Sequence, residues 1–87
     1  MERKAPDTFS LLLIEDDVLD RKALERVLAR TTMSIQLTCA GDIEGGLLEI
    51  SRRPFECVLL DWHLPDGMGG EFLERVAEKH PEVPVVV

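Results

Sequence analysis

The sequence predicts an α/β fold, a doubly wound parallel sheet carrying helices on both faces. Two largely apolar runs, Ser10–Ile14 and Phe55–Asp61, lack the alternation of a half-exposed strand and run into acids. That is how parallel strands buried on both faces read. Between the strand-like runs lie segments whose apolar residues recur at helical spacing. The alternation of the two kinds is the signature of βαβ units, which build a parallel sheet.

Taken in order, Ser10–Ile14 is the first strand, closed by Glu15, Asp16 and Asp17. Ala23, Leu24, Val27 and Leu28 then repeat at helical spacing, with acids before them and Arg26 and Arg30 towards the end, so a helix is expected over Val18–Arg30. Ile35–Cys39 alternates apolar with polar residues as an outer strand does. Asp42 offers an N-cap to a second helix, Ile43–Arg52, which Gly45 and Gly46 weaken. After the second buried strand, Pro65–Gly70 has loop chemistry, and Phe72, Leu73, Val76 and Ala77 mark a third helix supported by an i,i+4 pair of Glu71 and Arg75. Val83–Val87 reads as the start of a fourth strand, bracketed by Pro81 and Pro84.

Composition narrows the function classes. Eighty-seven residues, 45% hydrophobic and 31% charged, suit one globular domain rather than a disordered chain. Ten Lys and Arg against 17 Asp and Glu leave a net charge of −7, the wrong sign for binding a phosphate backbone, so no direct nucleic acid contact is expected. The longest apolar stretches, Leu11–Ile14 and Cys57–Leu60, fall far short of the roughly 20 residues that cross a bilayer. Residues Met1–Asp7 carry charges of both signs and no apolar h-region, so a cytoplasmic address and no membrane contact are expected. Cys39 and Cys57 both sit in strand-like runs, where a thiol packs as a small hydrophobe, and their spacing matches no zinc motif.

The chemistry gathers where strands end. In doubly wound sheets, ligands bind beyond the carboxyl ends of the strands. Strand one ends in Glu15, Asp16 and Asp17, and the Cys57–Leu60 strand ends in Asp61. On adjacent strands these carboxylates would stand side by side and repel one another unless a cation neutralised them. Oxygen-only ligands favour Mg²⁺ or a similarly hard ion. Helix capping explains one acid of the triplet well and three poorly. His63 has only His80 for company, so a loop side chain is a better account of it than zinc. Trp62 is expected to cover the sheet, and Gly67, Gly69 and Gly70 form no phosphate-binding motif and read as turn glycines.

The ordered set of an apolar strand followed by Glu15-Asp16-Asp17, then Val58-Leu59-Leu60-Asp61-Trp62-His63-Leu64-Pro65-Asp66-Gly67-Met68-Gly69, resembles the receiver domain of two-component response regulators. The likeness runs through the whole chain. It implies a single receiver domain over residues 1–87 with flavodoxin-like strand order 2-1-3-4, and a phosphoryl group accepted onto Asp61 from a histidine kinase or phosphotransfer domain. It further implies Mg²⁺ held by Asp16 directly, by Asp61, by Glu15 through water and by the backbone carbonyl of His63, with Asp17 a weaker candidate. A module of this kind is a signalling switch rather than an enzyme. Cys39 and Cys57 would lie either side of strand one, about 10 Å apart at two strand spacings, too far for a disulfide.

Two other functions fit parts of the pattern. An aspartyl-phosphate phosphatase of the haloacid dehalogenase type also uses an Asp after a buried strand, but it needs a second Asp where His63 stands. A Walker B reading of Cys57–Asp61 fails for want of a P-loop. A pseudo-receiver that binds partners without phosphorylation is the remaining alternative. The family fold has five strands and five helices, so the resemblance implies a receiver incomplete at its C-terminus, without the fifth strand. The hydroxyl residue and lysine that assist transfer would lie beyond Val87. Val83–Val87 would then be an uncovered edge strand, and the chain is expected to self-associate through it.

Overall fold

The computed structural model describes residues 8–87. The stretch Met1–Asp7 lies outside the described residues. Its elements run β1 (Thr8–Ile14), α1 (Val18–Ala29), β2 (Ser34–Ala40), α2 (Ile43–Arg52), β3 (Cys57–Leu60), β4 (His63–Leu64), β5 (Gly67–Met68), α3 (Gly69–Lys79) and β6 (Val85–Val86). The main sheet has order β2-β1-β3-β6 and every pairing in it is parallel. This is the expected flavodoxin-like order, with β6 in the fourth place.

Burial follows from that order. Strand β1 has a neighbour on each side, and Leu11, Leu12, Leu13 and Ile14 are all buried, which accounts for its unbroken apolar run. In register, Leu12 and Ile14 stand beside Val58 and Leu60, and this face packs with Ile43 and Ile50 of α2 and Phe72 and Val76 of α3. The opposite face, carrying Ile35 and Leu37 of β2, is turned to α1, whose Leu28 lines a shallow cleft with them. Helices therefore cover both faces, but unevenly: α1 buries no residue fully, and Val27 is 65% exposed. The apolar stripe expected on α1 narrows to Leu24 and Leu28, the two apolar residues of the helix that are half-buried.

Helix α2 begins and ends as expected, with the Asp42 side chain accepting from the Gly45 N–H at 2.7 Å. Its Gly46 is a packing requirement: a Cβ there would stand 2.4 Å from Ile14 Cδ1 and 3.1 Å from Phe72 Cε1. Two expectations are corrected. Pro65–Gly70 is not an irregular loop, since β4 and β5 form an antiparallel hairpin around Pro65–Asp66 and α3 already starts at Gly69. Gly67, at φ +151°, supplies the one positive φ among the described residues and lets so short a hairpin close. Arg75 pairs with Glu44 of α2 at 2.5 Å rather than with Glu71 in its own helix, so the charge expected to support α3 locally links two helices instead. Among the described residues, no helix is long and apolar enough to cross a membrane.

Candidate functional site

Two backbone hydrogen bonds carry the sheet one residue beyond its strands. Glu15 donates its N–H to the Ala40 carbonyl at 2.9 Å, and Asp61 donates to the Ile14 carbonyl at 3.0 Å. Glu15 and Asp61 are thus fixed side by side at the carboxyl edge. Carboxylate oxygens of Glu15, Asp16 and Asp61 lie within 4.8 Å of one another. Asp16 is exposed, and Glu15 and Asp61 are half-buried.

The acidic triplet divides its labour. Asp17 caps α1, its Oδ1 accepting from Leu19 N at 2.8 Å and Asp20 N at 3.1 Å. Its own N–H donates to a Glu15 carboxylate oxygen at 3.1 Å. Asp17 therefore stays out of the cluster, while the other two acids join Asp61. Burial pushes the Glu15 carboxyl above its ordinary range. The Asp17 N–H draws it down, and the charges of Asp61, Asp20 and Asp16 push it up again. An all-oxygen donor set whose negative charges raise one another's cost is the set a hard divalent cation satisfies. The residues present fit Mg²⁺ on that ground.

His63 is exposed on β4 and contributes no side chain to the cluster, and His80 caps the far end of α3. Trp62 lies on the start of α3. A Cβ at Gly69 would come within 2.9 Å of its Cε3, and one at Gly70 within 3.6 Å of its Cη2. Gly69 and Gly70, expected as turn glycines, instead open α3 and form the floor for an indole. Cys39 and Cys57 are free, on β2 and β3 either side of β1, and burial raises the Cys39 thiol, which makes it a poor nucleophile. A cleft of about 420 Å³ between Arg53, Phe55 and His80 opens at the amino ends of the strands, away from the acids.

Sequence reading missed two residues. Arg21 donates from Nε to the Glu15 carbonyl at 2.6 Å, bracing the backbone from which the cluster hangs. A cation one turn into α1 is the signal that could have found it. Asp66 accepts from Ile43 N at 2.8 Å and Glu44 N at 3.1 Å, tying the β4–β5 turn to α2. The Ile43 N–H holds the Asp66 carboxyl below its usual range. A Pro-Asp-Gly turn in sequence gives no hint of a partner so far along the chain.

The response regulator receiver domain profile matches residues 11–87. Among curated proteins, the response regulator protein PilR of Pseudomonas aeruginosa is 30% identical over 76 residues, a region covering 87% of the chain and 17% of PilR. The chain thus spans a small part of that relative's length. Among solved structures, the non-phosphorylated receiver domain of HemR from Leptospira biflexa is 30% identical, with TM-score 0.72, over 88% of this chain and 60% of that one. The response regulator TrrA of Thermotoga maritima, solved with Mg²⁺ and BeF, shares the fold at 19% identity and TM-score 0.82, covering 91% of this chain and 67% of TrrA. TrrA has also been solved in complex with the histidine kinase ThkA, where it aligns at TM-score 0.74 and 21% identity over 88% of this chain and 65% of that one.

Proposed function

The chain belongs to the response regulator receiver domain family, and from that premise we propose that it is a single phosphoacceptor domain whose Asp61 takes a phosphoryl group from a phosphohistidine donor. The observation that carries the reading is the meeting of three carboxylates, from the ends of two adjacent parallel strands, within 4.8 Å. Asp61 is the nucleophile. One of its carboxylate oxygens forms a P–O bond as the P–N bond of the donor breaks, and the imidazole leaves with the electron pair and takes a proton. Asp16, Asp61, Glu15 and the His63 carbonyl would hold Mg²⁺, which supplies neutralisation of the charge growing on the phosphoryl oxygens. Arg21 holds the Glu15 backbone in place throughout.

The product acyl phosphate adds about −1.5 to −2 charges at the sheet edge. An added charge of that size biases the neighbouring turns between two arrangements, which makes the domain a switch rather than an enzyme acting on others. The donor is a histidine kinase or phosphotransfer domain, as in the ThkA complex of TrrA. Val18 and Leu19, 56% and 77% exposed in the first turn of α1 beside the cluster, offer it an apolar landing. A cytoplasmic address goes with such a donor. Treatment with acetyl phosphate and Mg²⁺, then borohydride trapping and peptide mass mapping, is expected to place the label on Asp61 alone. Modification at another carboxylate would defeat the assignment.

Val86 is 52% exposed on β6, an edge strand of the main sheet, and Val87 just after it is 67% exposed. An apolar edge strand is a template for pairing with another chain. We therefore expect the chain to sediment at micromolar concentration as a dimer or larger species. A monodisperse 9.8 kDa monomer would overturn this.

A further inference from the structure

We infer that Asp66, outside the acid cluster, is a positioning residue for it, acting through the β4–β5 hairpin. The inference rests on the reading of that cluster as a metal-dependent phosphoacceptor site.

A hairpin with two-residue strands does not hold its shape alone. This one is fastened at three levels. At its base, Gly69 N donates to the Trp62 carbonyl at 2.7 Å. In its stem, His63 pairs with Met68 and Leu64 with Gly67. At its tip, the two oxygens of Asp66 accept from the first two amides of α2.

Helix α2 leaves those amides available for a reason visible in its own cap. Asp42 serves Gly45 N with its side chain and Gly46 N with its carbonyl. Ile43 N and Glu44 N are left at the positive end of the helix, where a carboxylate from elsewhere is favoured. Asp66 fills that need. Close packing reinforces it, since a Cβ on Gly67 would stand 3.0 Å from Ile43 Cδ1, and Ile43 is 1% exposed. The tip is therefore pinned to the buried core between α2 and β1, where Ile43 packs with Leu12 and Ile14. Glu44 is in turn paired with Arg75, so α3 braces the same point.

The hairpin starts at His63, two residues after Asp61. Fixing its tip fixes the path of the backbone that carries the His63 carbonyl. Asp66 thus acts on the cluster without touching the metal, as outer-shell partners do. A residue that merely capped α2 would change the stability of the fold and leave metal affinity alone.

Calorimetric titration with MgCl₂, beside amide hydrogen exchange, separates these roles in wild type, Asp66→Ala and Asp66→Asn. Asp66→Ala is expected to weaken Mg²⁺ binding about tenfold and to speed exchange at Ile43 and Glu44. Asp66→Asn, whose amide oxygen still accepts from one N–H, is expected to recover most of the affinity. Should Asp66→Ala fail to fold, Asp66→Ser and Asp66→Asn carry the comparison. Unchanged affinity in a folded variant whose Ile43 and Glu44 amides have lost protection overturns the inference, and so do amides that stay protected. Wild type that takes up no Mg²⁺ overturns the metal reading of the cluster, and this inference falls with it.

Discussion

Asp61→Asn is expected to abolish phosphoryl acceptance while leaving the metal-free protein slightly more stable than wild type. The two effects have opposite signs because the same carboxylate is the nucleophile and one of three clustered negative charges. An amide oxygen is neutral and attacks phosphorus far too slowly to compete, so the loss of labelling is complete. The gain in stability is about 0.5 kcal/mol, the scale of a like-charge contact relieved near the surface. Asp16→Asn shares the gain, and it is expected to lower metal-dependent labelling without moving the label. Asp61→Glu keeps the charge but displaces the nucleophile by one methylene, for which a loss of about a hundredfold is expected. Borohydride trapping measures the first set of effects and thermal melting with and without Mg²⁺ the second. Asp61→Asn that still takes up label, or melts below wild type without metal, would sink the assignment.

The parts of this site that were legible in the sequence share one property: each depends on local pattern or on strand order. An apolar run ending in acid is readable because a strand buried on both faces leaves no polar residue until it emerges, and the emergence marks the carboxyl edge. Once β1 and β3 are neighbours, Glu15, Asp16 and Asp61 must meet. The limits of α2 were readable too, since Asp42 caps it from within the same stretch of chain. What escaped depends on geometry across the fold. The Asp66 tether spans 23 residues to Ile43, and the Arg75 contact spans 31 to Glu44. Turn chemistry marked Pro65–Gly70 as a loop but could not say that a hairpin and the start of α3 lie within it. Nor could propensity explain two consecutive glycines at the start of α3. Their reason is the Trp62 ring lying on them.

Phe72→Ala is expected to cost about 4 kcal/mol, and Gly46→Ala to cost less, through the same contact read from the other side. Phe72 is fully buried where α3 meets α2 and the sheet, so its loss leaves a void that the central strands cannot collapse to fill. A chain of this size holds about 5–10 kcal/mol in all, so Phe72→Ala leaves about 1–6 kcal/mol, folded at room temperature but with a large part of its stability gone. For Gly46→Ala two effects compete. Alanine improves helix propensity by about 1 kcal/mol, but its methyl would strike Ile14 Cδ1 at 2.4 Å, and overpacking of that kind costs about 1–3 kcal/mol. Ile14 sits in the central strand with no free side, so the clash wins and the substitution destabilises. It should also disturb the site, because the Ile14 carbonyl accepts the Asp61 N–H and Glu15 is the next residue. Ile14→Val removes the very Cδ1 that the new methyl meets. The pair is therefore expected to be less destabilised than the sum of the two single changes, with a coupling of about 1 kcal/mol. Urea unfolding of the four proteins measures it, and strict additivity would show that Gly46 is required for some reason other than the approach of α2 to β1.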